Sequence, residues 1–157
     1  MRRTSTERAA PAAPTPAGVG YRLDDQLGFL LRRAYQRASA NLAEAIAAHG
    51  LTVPQFAVLA RLHECGAVSQ NELGRLVVME PANVRDVVQR LLRRALLATA
   101  PVDGDRRRLQ VSLTASGASL VQALIPVELA CTEGTLAALG KSERERLIHL
   151  LRKLLDG

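Results

Sequence analysis

Leu27, Leu30, Leu31, Ala34, Ala38, Leu42, Ala45 and Ile46 recur every three or four positions, which predicts one long helix over 24–48. Asp24 or Asp25 can cap its start, and Gly50 follows its end. Thr52 and Gln55 then form a capping box with Pro54 in the first turn, so a second helix runs to about Cys65 through Phe56, Leu59 and Leu62. Ser69 and Glu72 form another capping box, opening a short helix with Leu73, Leu76 and Val77 on one stripe. Pro81 suits the first turn of a fourth helix, in which Val84, Val87, Val88, Leu91 and Leu92 share a face. Its other face carries Ala82, Asn83, Arg85, Asp86, Gln89, Arg90 and Arg93. LATAPVDGDRRRLQVSL reads as a β-hairpin with Arg106, Arg107 and Arg108 at or beside its tip. Thr114 or Ser116 opens a long helix through Leu120, Val121, Leu124, Val127 and Leu129, and Pro126 is expected to kink it or loosen one turn. A third capping box, Ser142 with Glu145, starts a last helix with Leu147, Ile148, Leu150, Leu151, Leu154 and Leu155 on an apolar face. There is no internal repeat.

Two short helices with a tight junction, the second polar and basic outward, form the pattern of a helix-turn-helix. A basic hairpin after it makes a wing. The predicted fold is mainly α: a winged helix-turn-helix over 51–113, flanked by long helices over 24–49 and 114–156. Residues 21–157 form a single domain, and the Ala-, Pro- and Thr-rich 1–20 are a disordered tail. The flanking helices carry more apolar surface than one domain can hide. Homodimerisation through them explains that surface, and it places two recognition helices on a palindrome.

Charge sharpens this picture. The net charge is +6, and Lys141 and Lys153 are the only lysines. Between Arg85 and Arg108 seven arginines stand against Asp86, Asp103 and Asp105, so the cations concentrate on the segment already read as DNA-binding. Arg2, Arg3 and Arg8 of the tail are further candidates for phosphate contact.

Other chemistries find little support. There is no HExxH, no Gly-rich phosphate loop and no G-x-S-x-G, so an enzyme is not expected. His49, His63 and His149 are scattered; His63 with Glu64 is a poor start for a metal site. No cofactor is expected. Cys65 and Cys131 are too few and too far apart for a disulfide framework, which points to a reducing, cytoplasmic compartment. No run approaches the ~18 continuous apolar residues of a membrane span. The N-terminus has cations but no apolar core of a secretion signal.

The run from Leu51 to Gly117 resembles the MarR family of winged-helix repressors. The carrying segments are LTVPQFAVLARL, SQNELGRLVVMEPANVRDVVQRL and DGDRRRLQVSLTASG, above all the D-x-D-R-R wing followed by L-T-x-x-G. Two positions depart from the pattern. Ala95 stands where the family usually has Gly at the end of the recognition helix, so its C-cap is less easily left-handed. Thr99 and Ala100 stand where an arginine often lies on the first wing strand.

The resemblance implies a homodimeric repressor that binds double-stranded palindromic DNA. Asn83, Arg85 and Gln89 are the candidates for base edges, beside Ala82 on the same face. Ser69, Asn71 and Arg75 would contact phosphates. Arg106 and Arg107 would enter or straddle the minor groove, with Asp105, and Asp103 behind it, orienting the guanidiniums. The resemblance also implies a small aromatic carboxylate effector in the crevice between dimerisation helices and winged helix. Its candidate lining is Leu30, Leu31, Ala34, Phe56 and Leu59, with polar groups from Asp25, Arg33, Tyr35, Ser39, Gln55 and His63. LDDQLGFLLRRAYQRA and SQNELGRL are similar to repressors of nicotinic-acid breakdown, which implies a hydroxylated pyridine carboxylate. The alternatives are a DNA-binding regulator with no effector, or a redox- or metal-responsive one. For redox control the reactive cysteine of peroxide-sensing relatives lies early in the first helix, where this chain has Gly28 and its neighbours.

Overall fold

The computed structural model describes residues 20–102 and 105–157, and side chains except those of 102–108. The chain divides into two compact units, one up to Ala34 and one from Tyr35 to Gly157. In the first, a 3-10 turn over Leu23–Asp25 precedes helix α1 (Leu27–Ile46). The helix therefore starts later than the expected Asp24. Gln26 is extended, while Asp25 lies 3.7 Å from Arg22 and Asp24 lies 3.8 Å from Arg33, so these carboxylates serve ion pairs.

In the second unit α1 ends in a 3-10 turn over Ala47–His49, closed by Gly50 at φ +62°. The elements that follow are α2 (Val53–Cys65), β1 (Val68–Ser69), α3 (Gln70–Leu76), α4 (Pro81–Arg93), β2 (Leu97–Val102), β3 (Asp105–Leu113), α5 (Ala115–Thr135) and α6 (Lys141–Asp156). The strands form one antiparallel sheet in the order β1-β3-β2, with Val68 opposite Val111 and Leu97 opposite Leu113. Sequence periodicity did not mark β1, because two residues carry no period. The mainly α winged helix-turn-helix is thus the observed fold.

One core joins α2 to α5. Phe56, Val58, Leu59 and Leu62 of α2 pack with Leu73 of α3, Val84, Val88 and Leu91 of α4, Val111 of β3, and Val121 and Leu124 of α5. Helix α5 is long and apolar enough by composition to cross a membrane, although no unbroken apolar run marks it in the sequence. Its Gly117, Val121 and Leu124 are buried in this core.

The caps divide into those that form as written and those that move. Thr52 and Gln55 make the full box: Thr52 Oγ1 accepts from the Gln55 N–H and Gln55 Oε1 accepts from the Thr52 N–H. Ser69 accepts from the Glu72 N–H at 3.2 Å, while the Glu72 carboxylate pairs with Arg75. The expected Ser142–Glu145 box is replaced. Glu143 reaches back to the Gly140 N–H at 2.6 Å, so α6 begins at Lys141 and Ser142 falls inside its first turn.

Both helices of the helix-turn-helix end in the same way. After α3 the Met79 N–H donates to Gly74 O (3.0 Å) and the Val78 N–H to Arg75 O (3.2 Å). After α4 the Leu96 N–H donates to Leu91 O (3.1 Å) and the Ala95 N–H to Leu92 O (2.9 Å). Each pair is a Schellman motif, whose left-handed residue is usually glycine. Here it is Val78 and Ala95, both at φ +53°, the two non-glycine residues with positive φ among those described. Ala95 therefore adopts the left-handed cap despite its Cβ.

The L-T-x-x-G segment locks α5 onto this second joint. The Thr114 N–H donates to Leu96 O (3.1 Å) and its hydroxyl to Ala95 O (2.8 Å). Thr114 Oγ1 in turn accepts from the Gly117 N–H at 3.1 Å, capping α5. A Cβ on Gly117 would lie 2.1 Å from Leu96 O, so only glycine admits this approach.

Candidate nucleic-acid interface

Helix α4 is split cleanly by burial. Val84, Val88 and Leu91 are in the core, whereas Ala82, Asn83, Arg85, Asp86, Gln89, Arg90 and Arg93 are all exposed. Pro81 sets the start of the helix, and the buried valines fix its rotation, so the polar face points outward. Asp86 and Arg90 pair at 3.0 Å, one helical turn apart. That leaves Asn83, Arg85 and Gln89 on the same face, with no side-chain hydrogen bond or ion pair among the described residues.

Beside this face lies an open concavity of about 600 Å³, lined by Gln70, Asn71, Gly74, Arg75, Val78, Met79, Glu80 and Pro81. It holds two of the expected phosphate ligands, Asn71 and Arg75. Ser69 sits at the N-cap with its hydroxyl spent on the Glu72 N–H. Gln70, not singled out from the sequence, belongs to the same concavity. The concavity places the first turn of α3 next to the start of α4.

The arginine cluster is less uniform than its sequence suggests. Arg94 is structural: its guanidinium donates to Gly50 O (2.7 Å) and His49 O (2.9 Å), tying the end of α4 to the end of α1. In the wing, β2 and β3 pair from Leu97–Leu113 to Val102–Asp105, with a register shift after Pro101. Asp103 and the tail arginines Arg2, Arg3 and Arg8 lie outside the described residues, as do the side chains of Asp105, Arg106, Arg107 and Arg108.

The residues expected to line an effector crevice divide by unit. In the first, Leu30 and Asp25 are exposed, and Arg33 lies over the Phe29 ring at 5.9 Å from its centroid. In the second, Tyr35 is 68% exposed, Ser39 is half-buried and His63 is exposed. Leu59 is fully buried and offers no surface to a ligand, and Gln55 is committed to its capping box. Apolar spacing alone cannot separate a core position from a crevice wall.

A groove of about 390 Å³ does open within the second unit. Its apolar walls are Leu42 of α1, Val53, Phe56, Ala57 and Ala60 of α2, and Leu76, Val77 and Val78 at the α3–α4 junction. Its polar groups are Arg61, Glu64 and Glu128. Arg61 and Glu64 pair at 2.6 Å. Glu128 of α5 has its carboxyl pushed above the ordinary range, first by burial and then by the nearby Glu64 charge. None of these three was placed in the effector site from the sequence. The available signal was Glu128 itself, a lone acid in an otherwise apolar stretch of α5.

Comparison with known proteins follows the same lines. The family model of the MarR family matches residues 49–108. The transcriptional repressor NicR of Pseudomonas putida is 38% identical over 99% of this chain and 96% of its own length. The structure of BpsR from Bordetella bronchiseptica, whose DNA binding is regulated by 6-hydroxynicotinic acid, superposes with a TM-score of 0.82 at 38% identity. It covers 88% of this chain and 99% of BpsR. Rv2887 of Mycobacterium tuberculosis, solved with salicylic acid, gives 0.70 at 28% identity, covering 83% of this chain and 97% of that one.

Proposed function

This chain belongs to the MarR family, and on that premise we propose that it is a dimeric transcriptional repressor that leaves its operator when an aromatic acid binds. The observation that carries the DNA reading is α4, with Asn83, Arg85 and Gln89 on an exposed face above a buried Val84–Val88–Leu91 stripe. Arg85 pairs bidentately with guanine, while Asn83 and Gln89 suit adenine. Ser69, Asn71 and Arg75 hold phosphates, and Arg106 and Arg107, oriented by Asp105, extend the contact into the minor groove.

Dimerisation is supported by apolar surface that this chain leaves uncovered. Leu150, Leu154 and Leu155 of α6 and Leu129 of α5 are exposed, Leu155 at 84%. A second copy covering these helices would set two α4 helices on a palindrome, with half-site centres about 10 base pairs apart or a multiple of that. The effector is a flat aromatic acid, most specifically a hydroxylated pyridine carboxylate, and the polar candidates with free surface in the second unit are Tyr35, Ser39 and His63. It releases DNA only through its difference in affinity for the two forms of the dimer.

The test is a mobility shift on operator variants with Arg85→Ala. Preference at one base pair per half-site should fall by ~1–3 kcal/mol, with other positions unchanged. A uniform loss across all sequences would reassign Arg85 to phosphate.

A further inference from the structure

Arg94 differs from the other arginines of the recognition segment. It is the C-cap residue of α4, and its guanidinium donates to the successive carbonyls of His49 (2.9 Å) and Gly50 (2.7 Å). Those carbonyls lie at the 3-10 turn that ends α1, where a helix terminus presents unsatisfied oxygens and the negative end of its dipole. A planar guanidinium fork suits two neighbouring oxygens better than a point-like ammonium does. Elsewhere α4 packs on α2, α3 and β2. Among the described residues, the Arg94 fork supplies the side-chain hydrogen bonds between the end of α4 and the end of α1. We propose that Arg94 is a positioning residue: it sets the angle of α4 against α1, and with it the half-site spacing that the dimer accepts, without touching DNA itself. This rests on the dimeric-repressor reading above and adds to it a residue that fixes spacing.

Three features support this. First, the far side of the tie is itself anchored. Asn41 of α1 donates to Thr135 Oγ1 of α5 at 3.0 Å, and the Thr135 hydroxyl donates to Cys131 O at 2.8 Å. The second half of α1 is thereby held to α5, whose Leu129 is among the apolar side chains left for a second copy to cover. Second, Arg94 completes a three-helix joint. Thr114 bonds Ala95 O and Leu96 O, fastening the residues after α4 to the start of α5, while Arg94 fastens them to α1. One fastening fixes a point, and two in different directions fix an angle. At its other end α4 is reached through Val78, which is 92% exposed. Third, the helix is a lever. Asn83 lies eleven residues before Arg94, roughly 16 Å along the axis, so a tilt of about 5° at the joint moves it by roughly 1.4 Å. Doubled across a two-fold axis, that is roughly 3 Å, close to the ~3.4 Å rise of one base pair.

The test uses the full chain and, as probe, a palindrome that the wild type selects from a random duplex pool, with versions carrying one base pair added or removed at the centre. The wild type should bind the altered spacings much more weakly than the selected one. Arg94→Ala should bind the selected palindrome several-fold more weakly and narrow that gap several-fold, with base preference inside each half-site unchanged. Its log–log salt slope should equal that of the wild type, whereas loss of a phosphate contact would shallow the slope by roughly one unit. Arg94→Lys keeps the charge but lacks the fork, so it should relax spacing in the same direction and less far. It carries the test if light scattering shows that Arg94→Ala does not form a folded dimer. A shallower slope with the spacing penalty intact would make Arg94 a phosphate ligand and overturn the proposal. A lower urea midpoint with the spacing penalty intact would leave Arg94 a purely structural tie, and would overturn it equally. In both cases the dimeric-repressor reading stands. If the wild type selects no palindrome, or is indifferent to spacing, that reading fails and the proposal fails with it.

Discussion

Glycine to alanine inside a helix ordinarily stabilises a protein, by up to ~1 kcal/mol. Gly117→Ala should do the reverse. Its Cβ would sit 2.1 Å from Leu96 O and 3.0 Å from Leu96 C, and both are backbone atoms that cannot swing aside. Ordinary contact begins at 3.4 Å, so α5 and the strap at Leu96 must part by about 1.3 Å. That movement stretches the Thr114 N–H bond to Leu96 O (3.1 Å) and the Thr114 hydroxyl bond to Ala95 O (2.8 Å) beyond hydrogen-bonding range. Two lost bonds remove roughly 2 kcal/mol. Overpacking adds about 1–3 kcal/mol, and the gain in helix propensity offsets about 1 kcal/mol. The net expectation is a loss of roughly 2–4 kcal/mol by these estimates. The assay is urea unfolding followed by helical circular dichroism at one protein concentration, since the chain has no tryptophan. Gly134→Ala in the same helix is the control: its Cβ meets open space, so stability should rise or hold. A neutral or stabilised Gly117→Ala would refute the close-approach argument.

Ala95→Gly should raise stability, because relief of a left-handed Cβ, about 1–2 kcal/mol, exceeds the added entropy of the unfolded chain, about 0.4–1 kcal/mol; a lower urea midpoint would contradict this. Truncation after Gly140 should abolish the dimer or leave an aggregating chain, checked by light scattering, and a soluble monomer that still grips the full palindrome would overturn the role of α6. Arg106→Ala should weaken operator binding and shallow the log–log salt slope by roughly one unit, with the melting temperature unchanged. An unaltered slope would remove the wing from the phosphates.

The order and type of the helices were legible because each carries an apolar stripe, and the boundaries were legible where a cap could form in only one way. Thr52–Gln55 is such a case, since Pro54 between them fixes the first turn. Ser142–Glu145 was not, because Glu143 could reach back to the Gly140 N–H, one half of such a box, two residues earlier. The exposed polar face of α4 could be read from that helix alone, as the buried valines dictate which side faces out. The groove could not. Its polar members come from α2 and α5, more than sixty residues apart, and only the folded core brings Glu64 within reach of Glu128. Likewise Arg94 reads as one more DNA-facing cation until the carbonyls of His49 and Gly50 are seen to occupy it.

The recognition helix hangs between Val78 and Ala95, each holding a conformation that glycine would adopt without strain. In the genetic code, valine and alanine codons both become glycine codons by a change at their second base. Each mount can therefore be relieved of its strain by one point mutation that touches neither the exposed polar face of α4 nor the core beneath it. A lineage of such repressors thus has two mutational dials on how firmly the reading helix is set, separate from the residues that decide which sequence it reads. Selection for sharper or slacker release could act there first, and a screen for variants with altered induction but unaltered operator choice should return these two positions.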